Sequence, residues 1–145
     1  HVAVIRKADV AKYKDLASMS GAKVVAEAGS AGEIAVKADA GLSKSYLPVK
    51  DQGTSLMEVK SKTADIAIID AVTAAGSIGE GTDYDDLMIV DVISSADSEV
   101  YAVGIRKSDT ELTAKINAAI KELYDDGTLA KLAEKYNLSG RVIAQ

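Results

Sequence analysis

Apolar positions along this chain alternate between short continuous runs and helically spaced stripes, changing about every ten to fifteen residues. Val2–Ile5 is a short apolar run and predicts a strand. Lys23–Ala26, Tyr46–Val49, Leu87–Val92 and Val100–Arg106 predict further strands. Ile66–Ile69 is apolar at every position, the pattern of a central parallel strand covered on both faces. Between these runs the spacing turns helical. Asp9–Ala17 reads as a short helical or turn segment. A tight turn at Gly29–Gly32 leads into a helix over Glu33–Ala40, stopped by Gly41. Thr54–Ser61 predicts a short helix with Leu56 and Val59 facing inward, and Ala71–Gly76 predicts another. Strands alternating with helices predict the α/β class.

The last third carries the longest stripe. Leu112, Ile116, Ala119, Ile120 and Leu123 fall on one helical face. Ser108 and Glu111 have the spacing of a capping box before it. Gly127 ends this helix, Thr128 can cap the next, and Leu129, Leu132, Ala133 and Tyr136 form a second stripe. The chain therefore closes on a helix pair joined at Asp125-Asp126-Gly127.

Composition narrows the chemistry. The 145 residues suffice for a real core, and 48% are hydrophobic, which excludes a disordered chain. Formal net charge is −5, and lysines alternate with acids, so nucleic acid is not the expected partner. There is no cysteine, hence no disulfide, thiolate metal site or cysteine nucleophile. The one histidine is His1, so neither a Ser-His-Asp triad nor a multi-histidine metal site is expected. No cofactor is implied. No apolar run approaches the roughly 20 residues of a membrane span. The chain opens in a strand-like run rather than a signal peptide, so this is the mature N-terminus or upstream sequence is missing. Asp83-Tyr84-Asp85-Asp86 lacks the glycine and final glutamate of a calcium loop and reads as a solvated loop. Lys60, Lys62 and Asp65 read as surface charges. With six Tyr and neither Phe nor Trp, few rings are available to stack on a ligand.

Two places combine polarity with a strand's carboxyl end, where open α/β sheets bind ligands. Gly29-Ser30-Ala31-Gly32-Glu33 lies between a strand and a helix start. Its backbone N–H groups suit an anion such as a carboxylate, though an ordinary βα turn has the same composition. Asp70 ends the apolar run Ile66–Ile69. Its carboxylate can receive a ligand ammonium or simply cap the next helix. Together the two places offer what a zwitterion needs.

Three stretches in order carry a family resemblance: Lys23-Val24-Val25-Ala26-Glu27-Ala28-Gly29-Ser30, then Thr63-Ala64-Asp65-Ile66-Ala67-Ile68-Ile69-Asp70, then Tyr101 through Leu112. Asp126-Gly127-Thr128-Leu129 and Lys135-Tyr136 extend it almost to the end. The chain resembles the solute-binding proteins of polar amino-acid ABC importers, extracellular solute-binding protein family 3. The resemblance implies the periplasmic binding protein-like II fold, with two α/β lobes that close on a ligand in the cleft between them. It implies one complete lobe here, lobe two over 1–95 with the outgoing crossing strand. Residues 96–145 would give the return strand and C-terminal helices of lobe one, whose N-terminal part is expected to be missing. By the same resemblance Asp70 takes the ligand ammonium, and Ser30, Ala31 and Gly32 help hold its carboxylate. Ala31 stands where Ser or Thr is common and offers only its backbone. Gln52, Gly53 and Thr54, in the loop before a helix, would face the ligand side chain. The family's arginine clamp matches none of Arg6, Arg106 or Arg141.

The resemblance implies an amino acid or close analogue as ligand, an ABC importer permease as partner and binding rather than catalysis. It implies a periplasmic or extracellular location, with a membrane-tethered lipoprotein among the options. Two alternatives stand beside it. One is a truncated chain that does not bind ligand and self-associates as a homodimer through exposed C-terminal helices. The other is a dehydratase- or lyase-like enzyme on the same fold, with Glu33 as its acid.

Overall fold

The computed structural model describes residues 1–92, 100–136, 138, 139, 142 and 143. The chain forms two compact units, 1–98 and 99–145.

In the first unit, β1 (Val2–Arg6), β2 (Val24–Glu27), β3 (Tyr46–Val49), β4 (Ile66–Ile69) and β5 (Leu87–Val92) form one sheet in the order β3-β2-β4-β1-β5. β2 runs parallel to β3 and to β4, pairing Glu27 with Val49 and Ala26 with Ile68. β1 is antiparallel to both its neighbours, pairing Val2 with Ile69 and with Val92, and its register against β5 shifts between Ala3 and Val4. β4 is buried at every position, as its unbroken apolar run demands, although only one of its two neighbours is parallel.

The two-residue period of the strands builds two cores. Ala3, Ile5, Val24, Ala26, Ile66 and Ile68 face one way. They meet Val36 of α1 (Ala31–Ala38), together with Tyr13, Met19 and Leu42 from the connecting segments. Val2, Val4, Val25, Ala67 and Ile69 face the other way. They meet Leu56 and Val59 of α2 (Gln52–Lys60) and Ala74 of α3 (Ala71–Ser77). Thus α1 covers one face of the sheet while α2 and α3 cover the other.

Several local expectations shift by a turn. Asp9–Ala17 contains no α-helix; 3-10 turns form at Lys7–Asp9 and Ala17–Met19. The helix expected over Glu33–Ala40 starts earlier, at Ala31, because the Ser30 hydroxyl accepts the Glu33 N–H at 3.1 Å and caps it there. Its stop is Asp39 rather than Gly41. The Asp39 carboxylate accepts the N–H groups of Gly41 (2.7 Å) and Leu42 (2.9 Å) and turns the chain into the next 3-10 turn. Asp51 caps α2 by accepting the Thr54 N–H at 2.7 Å, so Gln52, Gly53 and Thr54 form the helix's first turn and not a preceding loop.

Asp65 is a tie and not a surface charge. It accepts the Lys23 N–H at 3.0 Å and faces Arg6 at 3.3 Å. Arg6 also donates to the carbonyls of Val59 (2.6 Å) and Ala64 (2.7 Å) and pairs with Asp9 at 2.5 Å. One guanidinium fork thereby locks the α2–β4 turn to the end of β1. Lys60 likewise reaches the carbonyl of Asp83 and the carboxylate of Asp86, fastening the acidic loop.

The second unit holds α4 (Thr110–Asp125) and α5 (Thr128–Lys135). The expected strand at Val100–Arg106 is not a strand: a ladder needs a partner, and no described strand runs beside it. Its side chains Val100, Tyr101, Ala102, Val103 and Ile105 instead line an apolar groove with Ile116 and Ile120 of α4. The capping box does not form either. Asp109 is the residue before α4, its side chain bonds no helix N–H, and its carboxylate is held by Arg106 at 2.9 Å. Asp126, not Thr128, does the capping at α5, accepting the Thr128 N–H at 2.8 Å. No helix among the described residues is long and apolar enough to cross a membrane.

Candidate functional site

The connectivity of the first unit opens a crevice. β2 leads into α1 on one face of the sheet, while its neighbour β4 leads into α3 on the opposite face. Where adjacent parallel strands send their helices apart, the carboxyl edge between them is left uncovered, and such switch points bind ligands in open α/β sheets. Ser30, Ala31 and Gly32 form the start of α1 after β2, Asp70 follows β4, and Gln52 and Thr54 lie in the first turn of α2 after β3. The fold therefore gathers all six predicted residues at one edge. β1 begins and β5 ends at the same edge, since Val2 pairs with both Ile69 and Val92.

Each part of the edge has a local cause. Gly29 adopts φ +76°, a conformation that costs other residues and bends β2 sharply into α1. Ser30 then works in two directions. Its hydroxyl donates to the Glu27 carbonyl at 2.7 Å and accepts from the Glu33 N–H. Glu33 returns the cap, accepting the Gly29 N–H at 2.8 Å. Among the described residues none accepts from the N–H of Ala31 or Gly32, the first two of the helix. They are the donors an anion can use. Gly32 is buried against β4, and a Cβ there would stand 3.1 Å from the Ile68 carbonyl oxygen and 3.0 Å from His1 Cδ2. Glycine is thus what lets the helix start press against the end of the strand.

Asp70 plays the capping role that its sequence position allowed. Its Oδ1 accepts the N–H groups of Val72 (2.8 Å) and Thr73 (3.0 Å). The cap fixes the carboxylate at the edge. Gln52 joins it, its Oε1 accepting the Asp70 N–H at 3.0 Å, a contact that spans the end of β2. Thr54 lies further into α2, with its N–H committed to Asp51, and that contact holds the Asp51 carboxyl below its ordinary range.

Glu33 closes the turn after β2 and is the acid of the enzymatic alternative. It is a fixed charge instead. Lys37 at 2.8 Å, the Gly29 N–H and the Tyr46 hydroxyl at 3.0 Å bring its carboxyl down to about 2. Burial, reinforced by Glu33, pushes the Tyr46 hydroxyl up to about 12. A carboxyl so acidic is poorly matched to general acid–base work near neutral pH. The sequence signal for this cluster was present in Ser30 and Glu33, three apart, but Tyr46 comes from β3 and only the parallel pairing brings it there. Among the described residues no group of three or more His, Cys, Asp and Glu is placed to hold a metal ion.

Known proteins resemble this chain in sequence and fold. The family model for bacterial extracellular solute-binding proteins, family 3, matches residues 6–139. The arginine-binding extracellular protein ArtP of Bacillus subtilis (strain 168) is 38% identical over 81 residues, 56% of this chain and 31% of that protein. The crystal structure of the P235GK mutant of ArgBP from T. maritima superposes with TM-score 0.71 at 29% identity, covering 93% of this chain and 56% of that one. An amino acid ABC transporter substrate-binding protein from Streptococcus pneumoniae Canada MDR_19A, bound to L-arginine, superposes with TM-score 0.76 at 27% identity, covering 93% of this chain and 55% of that one. The chain thus spans about half the length of these structures and about a third of the curated relative. With a mixed α/β sheet, the motif order and nearly the whole chain matched, the protein belongs to the bacterial extracellular solute-binding proteins, family 3, with the periplasmic binding protein type II fold.

Proposed function

We propose that this protein binds an amino acid at the carboxyl edge of β2 and β4 and delivers it to an ABC importer. The carrying observation is the pairing of two opposite polarities at one switch point. The N–H groups of Ala31 and Gly32, at the positive end of α1, suit the ligand carboxylate, and the capped Asp70 suits its ammonium. Ser30 fixes the donors by its double hydrogen bond, and Gln52 holds Asp70 in place. Gln52 and Thr54 then border the ligand side chain. In this reading residues 1–95 form lobe two and 96–145 contribute to lobe one. Arginine is the first ligand to test, because relatives and structural neighbours are named for arginine binding or are bound to it. The protein is a receptor and not an enzyme. It works in the periplasm or outside the cell, where lipoprotein tethering is one way to keep it near its permease.

Asp70→Asn is the informative variant. Asn retains an oxygen for the Val72 and Thr73 N–H groups and is itself a favoured cap, so the fold stays while the charge goes. A hydrogen bond to a charged group contributes about 1.5–3 kcal/mol, so calorimetry should show arginine binding weakened by roughly 10- to 150-fold. Equal affinity in the variant would remove Asp70 from the site.

A second property concerns the helices. Leu112, Leu123, Leu132 and Tyr136 are exposed by 48%, 40%, 45% and 60%, an unusual amount of apolar surface for two amphipathic helices. On this ground we propose that the chain as it stands self-associates through α4 and α5.

A further inference from the structure

We propose that Glu27 selects the ligand side chain, giving the site a preference for amino acids with a cationic side chain. This rests on the amino-acid-binding reading above and adds a residue to it. Glu27 is the last residue of β2, the strand between β3 and β4, so it stands in the middle of the carboxyl edge. Its side chain is on the α2 face. Val25, two residues earlier, belongs to the core on that face, and Val49, its partner in the β2–β3 ladder, packs against the same core. The Gln52–Asp70 hydrogen bond spans the end of this strand on its way from α2 to β4. Glu27 therefore lies beneath the bridge that holds the ammonium-binding acid.

The other acids of the βα turns are committed. Asp51 caps α2, Asp70 caps α3, and Glu33 is held by Lys37, Gly29 and Tyr46. Glu27 is different: it is half-buried, its carbonyl serves Ser30, and among the described residues no donor or cation reaches its carboxylate. A carboxylate without a protein partner at this edge is free to pair with a cation that arrives with the ligand. A zwitterion anchored between the Ala31–Gly32 donors and Asp70 brings its side chain over the same edge. A neutral side chain would leave the carboxylate unmatched, whereas a guanidinium or ammonium would pair with it. Sites discriminate most strongly when the wrong ligand leaves a polar group unpaired.

The test is calorimetry with L-arginine, L-lysine, L-glutamine and L-citrulline, the last being the uncharged near-isostere of arginine. It uses the full-length protein and its Glu27→Gln variant, with a circular dichroism melt to show that the variant folds. The expected result is that the wild type binds arginine at least tenfold more tightly than citrulline. Glu27→Gln should erase most of that ratio while leaving citrulline affinity within about threefold. Discrimination unchanged in the variant, or absent in the wild type, would overturn the role of Glu27 and leave amino-acid binding standing. Silence of the wild type with every amino acid would remove the underlying reading and this inference with it.

Discussion

Arg6→Met isolates one tie that the fold depends on. The wild-type side chain is only 12% exposed, and its guanidinium serves four acceptors: the carbonyls of Val59 and Ala64 and the carboxylates of Asp9 and Asp65. Methionine preserves the apolar stem and removes every donor. The Ala64 carbonyl is left without its donor, at about 1–3 kcal/mol, while the Val59 carbonyl keeps the Lys62 N–H at 3.2 Å. The carboxylates are more open, at 29% and 28%, so water recovers much of their share. With the weakened Val59 and carboxylate contacts added, the sum is roughly 2–4 kcal/mol. With a urea slope of about 1.5–2 kcal/mol/M for a chain of this size, the midpoint should fall by about 2 M. Arg6→Lys keeps the charge but not the planar fork, so it should lose about half as much. A two-state urea titration followed by far-ultraviolet circular dichroism reads all three proteins. A loss under about 1 kcal/mol in Arg6→Met would refute the reasoning, since the Ala64 carbonyl alone requires that much.

Two further outcomes follow from the same structure. Glu33 has a folded-state value near 2 against an ordinary 4.5, so its stabilising contribution is complete above about pH 4.5 and fades as pH falls toward 2. The urea midpoints of wild type and Glu33→Gln should therefore differ most near neutral pH and converge from pH 5 downward; a constant gap would contradict the assignment. Self-association through the C-terminal helices predicts a sedimentation coefficient that rises with protein concentration and falls back in Leu112→Lys/Leu132→Lys. A monomer throughout the series would end that proposal.

Much of this was legible in the sequence because strands and turns write local signatures. Ile66–Ile69 reads as a covered strand and is one, and the acid after it, readable as a cap or a ligand group, caps α3. The helix starts at α1 and α2 were misplaced because Ser30 and Asp51 cap earlier than the apolar stripes begin. Asp65 looked like a surface charge because its partners, Arg6 and the Lys23 N–H, are distant in sequence and meet only once β1, β2 and β4 are assembled. Glu27 hid for the opposite reason: a single acid at a strand end is unremarkable until the switch point places it amid the βα turns. Val100–Arg106 shows the limit of pattern. A short continuous apolar run favours a strand, yet a strand also needs a neighbour, and pattern carries no information about that.

The most direct test of the central claim is a two-dimensional NMR titration of the 15N-labelled full-length protein with L-arginine. Amide signals of Ala31 and Gly32, and of Val72 and Thr73 beside Asp70, should shift together along one saturating curve. Saturation with those four amides unmoved, or with shifts confined to α4 and α5, would contradict an amino-acid site at the carboxyl edge of β2 and β4.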